Sequence, residues 1–138
     1  MKKLEVKKED VIYNLNLIRN RLNDKAEIIA VVKANGMGLG LVSFSRFLIE
    51  NGVTFLGVAN TFEALELREN EINQDILMMS EVVDSEELTE LLNRDIILTV
   101  GSLEEKKQIA EIAERLGKIA RVHVKIDTGF ARYRICLE

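Results

Sequence analysis

The chain has 138 residues, 47% of them hydrophobic, so it is long enough to bury one core and short for two domains. Its 19 basic and 23 acidic residues give a net charge of −4, and no basic block interleaved with aromatic residues indicates nucleic-acid binding. The charged N-terminus lacks an apolar stretch of secretory length, and no window reaches the length of a membrane span. We therefore expect a cytoplasmic chain that contacts no membrane.

The predicted elements alternate between helical and strand patterns along the chain. Apolar residues at helical spacing, from Val11 to Leu22, predict a first helix over about residues 8–23. The apolar run at 27–33 predicts the first strand, and a second helix follows from Leu41 to Asn51-Gly52. Four more strands are predicted at 55–59, 75–80, 95–100 and 121–126.

Three later helices carry start signals in which a short polar residue precedes a carboxylate by three positions. This spacing satisfies the free amides of a first helical turn, and the pairs are Asn60 with Glu63, Asp84 with Glu87, and Ser102 with Glu105. The repeating βα unit predicts a parallel sheet covered by helices, with functional groups at the carboxyl ends of the strands. Periodicity does not separate an open doubly wound sheet from part of a closed barrel. Without proline or a Gly/Ser linker, residues 1–138 are expected to form a single domain.

Lys33 is the last residue of the first predicted strand. An amine at the end of a rigid strand, kept from bulk water, can lose its proton and attack a carbonyl carbon to form a Schiff base. Lys33 is therefore a candidate anchor for an aldehyde cofactor. The alternative is a lysine that marks where the strand reaches water. The glycines that follow, Gly36, Gly38 and Gly40, are either turn residues or a source of amides for a phosphate group.

The last predicted strand has two contrasting faces. Residues Val122, Val124 and Ile126 lie on one face, and residues His123, Lys125 and Asp127 lie on the other. With helices outside a parallel sheet, the apolar face would pack on helices and the charged face would point toward the lumen or the site. The alternative is an edge strand whose charged face meets water. One imidazole without a nearby cysteine or second histidine makes a poor metal site, so we predict no metal.

Two segments, Val32-Lys-Ala-Asn-Gly-Met-Gly-Leu-Gly40 and Lys125-Ile-Asp-Thr-Gly-Phe-Ala-Arg132, resemble the signature segments of the alanine racemase family. Between them, Phe55-Leu-Gly-Val-Ala59 and Glu63-Ala-Leu-Glu-Leu-Arg68 are also similar to that family, in register over nearly the whole chain. The resemblance implies a partial (β/α)8 TIM-type barrel of the third fold type of pyridoxal-phosphate enzymes. About five parallel βα units are expected, without the carboxyl-terminal β-domain.

The resemblance also implies roles for individual residues. Lys33 matches the lysine that holds pyridoxal 5'-phosphate as an internal aldimine and moves the α-proton on one face of the substrate. Arg132 matches the arginine that binds the substrate carboxylate. Lys125 matches a lysine that some members carbamylate and that orients this arginine, and Asp127 is expected to support the same site. The implied reaction interconverts L- and D-alanine, and D-alanine serves cell-wall precursors.

Departures from the family pattern are also visible. Met37 stands where the family usually has a tyrosine that reaches the cofactor phosphate, and a thioether cannot donate a hydrogen bond to an anion. Leu39 replaces a histidine, while Ala131 and Arg134 stand where glycines are common. In the family, the base for the opposite substrate face and the arginine that faces the pyridine nitrogen lie beyond the positions matched by these 138 residues.

Three interpretations follow from these patterns. The first is an incomplete racemase, weak or inactive alone, that works as a homodimer or with a separate chain supplying the missing carboxyl-terminal part. The second is a non-catalytic pyridoxal-phosphate-binding module, although Val58-Ala-Asn-Thr-Phe62 replaces the Gly-Glu-Asn typical of single-barrel carriers. The third is an inactive remnant. Decarboxylases and D-amino-acid lyases on the same barrel share the lysine-bearing strand, but Asp127-Thr-Gly-Phe-Ala-Arg132 fits the racemases better.

Overall fold

A computed structural model describes residues 5–23 and 25–129 of the chain. Helices and strands alternate through this part, as the repeating pattern predicts. The elements, in chain order, are α1 (Lys8–Arg19), β1 (Ile29–Val31), α2 (Lys33–Met37), α3 (Leu41–Glu50), β2 (Phe55–Val58), α4 (Thr61–Glu69), β3 (Asp75–Met78), α5 (Ser85–Asn93), β4 (Leu98–Val100), α6 (Leu103–Leu116) and β5 (Val122–Val124).

The five strands lie side by side in the order in which they occur in the chain. Parallel pairing joins β1 to β2, β2 to β3, and β4 to β5. A parallel bridge between Leu77 and Ile97 joins the two sets, and the Met78 amide donates to the Ile97 carbonyl at 2.8 Å. A doubly wound sheet reverses its strand order at a switch point, whereas a barrel keeps winding in one direction. The sequential order confirms the expected partial TIM-type barrel and resolves the ambiguity left by periodicity.

Alternate residues of the strands pack on opposite sides of the sheet. Val32, Leu56 and Ile76 are fully buried in the larger core, on the side of the helices. Phe55, Leu77 and Ile97 form a second, smaller cluster, with Ile29 and Met79 packed against it, on the concave face. Within the described residues, none of the helices has the length and apolar character needed to cross a membrane.

All three predicted helix starts are confirmed. The Asn60 side chain accepts a hydrogen bond from the Glu63 amide, and the Ser102 hydroxyl accepts one from the Glu105 amide. The Asp84 carboxylate accepts from the Glu86 and Glu87 amides. These polar caps satisfy amides that have no partner inside the helix, which fixes where α4, α5 and α6 begin.

The predicted boundaries of α1 and β1 are too long. Helix α1 ends at Arg19 rather than near residue 23, because the Arg21 and Leu22 amides donate to carbonyls three residues back and tighten the chain into a turn. Of the apolar set expected to face the core, Leu15 is buried, whereas Ile18 remains 51% exposed. Strand β1 covers Ile29–Val31, and Lys33 begins the short helical turn α2 instead of ending the strand.

Candidate active site

Lys33 lies at the carboxyl end of β1. The preceding residue, Val32, is fully buried, and its amide donates to the Gly57 carbonyl of β2 at 2.8 Å, so the backbone is fixed up to this point. The Lys33 side chain is exposed, and its amine has no hydrogen-bond or ion-pair partner within residues 5–23 and 25–129. The exposure matches the alternative in which the lysine marks where the strand reaches water. It also leaves the amine accessible to an aldehyde.

The turn that follows Lys33 is left-handed. Ala34, Asn35 and Gly36 have φ/ψ angles of 54°/52°, 55°/51° and 62°/39°, and Met37 has a φ of 55°. A left-handed conformation costs about 1–2 kcal/mol for a residue with a β-carbon, and asparagine and glycine tolerate it best. Ala34 and Met37 are not among the residues that tolerate this conformation, so both bear its cost. The turn therefore persists only because contacts around it offset the cost.

Asn35 makes most of those contacts. Its side-chain Oδ1 accepts a hydrogen bond from the Leu41 amide at 2.8 Å, at the start of α3. Its carbonyl oxygen accepts from the Gly40 amide at 3.0 Å. Its own amide donates to Oε1 of Glu63 at 3.2 Å. Asn35 thus closes the turn through its carbonyl and connects the turn to α3 and α4 through its side chain and amide.

Glu63 joins the ends of two neighbouring strands. The residue lies in the first turn of α4 and is only 5% exposed. Its Oε2 accepts from the Ala59 amide, directly after β2, at 3.2 Å, while Oε1 accepts from Asn35 after β1. The capping pattern predicts the position of Glu63 at the helix start, but its contact across to the Lys33 turn has no signal in the local sequence.

The glycine amides of the turn after Lys33 already donate hydrogen bonds to nearby backbone carbonyls. The Gly36 amide donates to the Val32 carbonyl at 2.8 Å, the Gly38 amide to Ala34 at 3.0 Å, and the Gly40 amide to Asn35. Amides that already have acceptors are poorly placed to bind a phosphate group. The structure therefore favours turn formation as the role of these glycines, over direct phosphate binding.

The charged face of β5 lies on the concave side of the sheet. The His123 ring meets Phe55 edge to face, with 5.9 Å between ring centroids. The Lys125 amide extends the pairing with β4 by donating to the Val100 carbonyl at 2.9 Å. An open cleft of about 240 Å³ runs along this face, lined by Leu77, Met79, Thr99, His123, Val124 and Lys125. Asp127 lies just beyond, where Oδ1 accepts from the Gly129 amide at 3.0 Å.

The apolar face of β5 does not pack on helices as expected. Val122, Val124 and Ile126 are 40%, 57% and 51% exposed. Within the described residues, each of β1 to β4 is followed by a helix, whereas no helix follows β5. The outer side of β5 therefore lacks, in this part of the chain, the following helix that each earlier strand has.

The structure places two of the predicted site residues on the same rim of the sheet. Lys33 and Lys125 both follow strands of the same parallel sheet, so they lie at the same, carboxyl-terminal rim. Arg132, predicted to bind the substrate carboxylate, lies outside the described residues, as do Ala131 and Arg134.

A pair of carboxyl groups at this rim was not predicted. Oε2 of Glu105 accepts a hydrogen bond from the Gly101 amide at 2.6 Å, and the residue is 8% exposed. Desolvation and a hydrogen bond to the Glu105 side chain raise the pKa of Glu81 above its ordinary value. The capping pattern of Ser102 and Glu105 is visible in the sequence, but the loop position of Glu81 gives no such signal.

Five sequential parallel strands, the first four each followed by a helix, define a partial (β/α) barrel, and Lys33 lies two residues after the first strand. Residues 6–134 match the family described as "Alanine racemase, N-terminal domain". The chain belongs to this family, as the two signature segments predict.

Individual relatives agree with this assignment. The alanine racemase of Methanococcus maripaludis is 45% identical over 119 residues, which are 86% of this chain and 32% of that protein. The structure of the alanine racemase of Clostridium difficile 630 superposes with a TM-score of 0.86 at 38% identity, over 93% of this chain and 33% of that one. A histidine racemase from Leuconostoc mesenteroides gives a TM-score of 0.84 at 31% identity, over 94% of this chain and 34% of that one. The chain thus spans about a third of the length of the relatives it matches.

Proposed function

We propose that this chain is the lysine-bearing part of a pyridoxal-phosphate-dependent racemase that interconverts L- and D-alanine, and that it is incomplete on its own. The observation that carries the proposal is the accessible Lys33 amine at the carboxyl end of β1, in a chain of the alanine racemase family. The relatives' activity is the basis for alanine as substrate. We further propose that the enzyme works in the cytoplasm, where D-alanine enters cell-wall precursors.

The described residues fit one end of the cofactor. Pyridoxal phosphate needs an amine for its aldehyde group, and Lys33 offers one whose neighbouring backbone is held by β2 on one side and Glu63 on the other. The glycine amides and the Met37 and Leu39 side chains of the adjacent turn offer the phosphate group no free hydrogen-bond donor. The glycine amides already donate to backbone carbonyls, and the two side chains have no donor group. We therefore place the phosphate contacts elsewhere in the complete barrel.

Bound pyridoxal phosphate supplies an electron sink for the negative charge that develops at the substrate Cα. The residues of this chain then bind, orient and move a proton. Lys33 Nζ takes the α-proton from one face of Cα and returns it there. Arg132 holds the substrate carboxylate, and Lys125, with Asp127 nearby, orients the guanidinium group.

Racemisation needs a second base on the opposite face of Cα. In the family resemblance, that base lies outside the positions matched here, so we propose that a complementing carboxyl-terminal racemase chain supplies it. Each general acid–base step contributes about 10²- to 10⁴-fold to the rate, so the chain alone is expected to racemise alanine feebly. If turnover is absent altogether, the second interpretation, a non-catalytic pyridoxal-phosphate-binding module, applies.

Because Lys33 is proposed to act on only one face of Cα, it should exchange the α-proton of only one alanine enantiomer with heavy water. The chain with pyridoxal phosphate is incubated separately with L-alanine and D-alanine in D₂O, and α-deuterium content and chirality are measured by mass spectrometry after chiral separation. We expect exchange of the α-proton in one enantiomer with retained configuration, and little conversion to the other. Lys33→Ala with the same cofactor is the control. Exchange at the control rate in both enantiomers contradicts the proposed chemistry.

A further inference from the structure

We propose that Glu63 is a positioning residue for Lys33, whose carboxylate clamps the left-handed turn after Lys33 to the end of β2. The inference rests on the proposed function of Lys33 as the reacting amine. Glu63 touches no reacting group itself. It would act by fixing the backbone from which the Lys33 side chain projects.

The contacts of Glu63 are those of a clamp between two loops. One carboxylate oxygen accepts from the Asn35 amide, two residues after Lys33, and the other accepts from the Ala59 amide. The residue is 5% exposed, and its carboxylate pairs with no cation within the described part of the chain. Its position in the first turn of α4 offsets the charge, because the positive end of the helix dipole lies there. Both carboxylate oxygens of Glu63 therefore accept from backbone amides that follow β1 and β2.

The turn needs such a clamp. Ala34 and Met37 hold left-handed angles that residues with a β-carbon avoid. Without the bond from Glu63, the Asn35 amide would be left without an acceptor, and the turn could relax toward ordinary angles. Lys33 is joined directly to Ala34, so the direction of its side chain would change with the turn.

A neutral amide cannot replace the carboxylate. Glu63→Gln keeps the shape of the side chain, but it offers one oxygen acceptor and places an NH₂ group against a second N–H donor. One of the two loop contacts must break. Glu63→Asp is a second variant, because its shorter side chain cannot reach both amides.

Glu105 provides a matched control. It occupies the same position in α6 that Glu63 occupies in α4, and it likewise accepts from the residue before the cap, here the Gly101 amide. It is also buried, at 8% exposure. Its side chain is hydrogen-bonded to Glu81, which lies after β3 and not in the Lys33 turn. Glu105→Gln should therefore perturb a rim loop without moving Lys33.

The first test measures amide hydrogen exchange by NMR on the full chain without cofactor. Glu63→Gln is expected to raise exchange at Asn35 or Ala59 by about tenfold or more, because a hydrogen bond to a charged group is lost. Exchange at Leu56 and Ile76, inside the sheet, should stay unchanged and shows that the fold is intact. Glu105→Gln should leave Asn35 and Ala59 at wild-type rates. Wild-type protection of both amides in Glu63→Gln and Glu63→Asp would overturn the clamp.

The second test measures how readily the Lys33 amine reacts with pyridoxal phosphate, which depends on how the side chain is positioned. The chain is mixed with pyridoxal phosphate, reduced with borohydride, and the ratio of label on Lys33 to label on exposed Lys25 is determined by mass spectrometry. Glu63→Gln should lower this ratio by about tenfold, and Glu105→Gln should leave it within about twofold of wild type. An unchanged ratio in Glu63→Gln overturns the positioning role. A wild-type chain with no label at Lys33 above Lys33→Ala contradicts the proposed function instead, and amide exchange then decides the clamp alone.

Discussion

The ring of Phe55 in β2 and the imidazole of His123 in β5 meet edge to face, with centroids 5.9 Å apart and ring planes at 82°. Strands β3 and β4 lie between them. In a flat sheet, strands three places apart are separated by about 14 Å, at about 4.8 Å per neighbour. The contact therefore requires a strongly curved sheet whose concave side chains converge, as in the wall of a barrel.

Phe55→Ala should destabilise the fold by about 3 kcal/mol, the lower end of the range for truncating a buried phenylalanine. The ring is 7% exposed and packs with Leu77 and Ile97, and its loss also removes the contact with His123. The lower end applies because the cleft beside this cluster is open to solvent. Urea unfolding followed by circular dichroism measures the change.

Phe62→Ala is the matched control for this truncation. Phe62 is 73% exposed, so its removal should change the free energy of unfolding by less than about 0.5 kcal/mol. Equal effects of the two substitutions would contradict the concave core described for Phe55.

Gly36→Ala should destabilise the chain more than Gly38→Ala. Both glycines have positive φ, 62° and 87°, so either alanine adds about 1–2 kcal/mol of backbone strain. Only at Gly36 would the new β-carbon also approach other atoms closely, 3.3 Å from the Leu41 amide nitrogen and 3.4 Å from the Phe44 β-carbon. The difference in the two free energies of unfolding isolates the packing contribution. A larger loss in Gly38→Ala would contradict the described turn.

The free energy of unfolding should fall as pH rises through the range in which Glu81 ionises. Desolvation and the hydrogen bond to Glu105 raise its pKa in the folded chain, so the folded state holds this proton more tightly than the unfolded state. Its contribution is present below the unfolded pKa, near the ordinary value of 4.5, and is lost as pH rises through the raised folded pKa. Glu81→Gln, which stays neutral, should lack this loss.

The measurement compares free energies of unfolding for the wild type and Glu81→Gln between about pH 4 and pH 7, the window around the ordinary pKa of a glutamate. The stability of the variant relative to wild type should rise across this window and then level off. A flat difference, or one that falls with pH, would contradict a raised pKa of Glu81 in the folded chain.

Much of the architecture could be predicted from the sequence because its signals are local. The caps at Asn60, Asp84 and Ser102 fix helix starts through contacts within a few residues, and they are confirmed. The alternation through His123 and Lys125 correctly assigns the concave face of β5, because successive side chains of a strand must point to opposite sides.

The remaining features depend on contacts between distant residues. The Asn35–Glu63 hydrogen bond joins residues 28 positions apart and requires both the parallel pairing of β1 with β2 and the left-handed turn. The exposure of Val122, Val124 and Ile126 depends on which helices cover β5, which alternation within the strand does not reveal. Strand order likewise follows from pairing and not from the period of the repeat.

If Lys33 is the reacting amine, its chemical reactivity toward an aldehyde should exceed that of the other exposed lysines. The full chain is incubated with pyridoxal phosphate, reduced with borohydride, digested, and searched by mass spectrometry for pyridoxyl-lysine. Lys33 should carry more label than other exposed lysines such as Lys8 and Lys25, and Lys33→Ala should lose this signal without gaining label elsewhere. Label spread equally over the exposed lysines, with Lys33 no more reactive than Lys25, would contradict the role of Lys33 as the reacting amine.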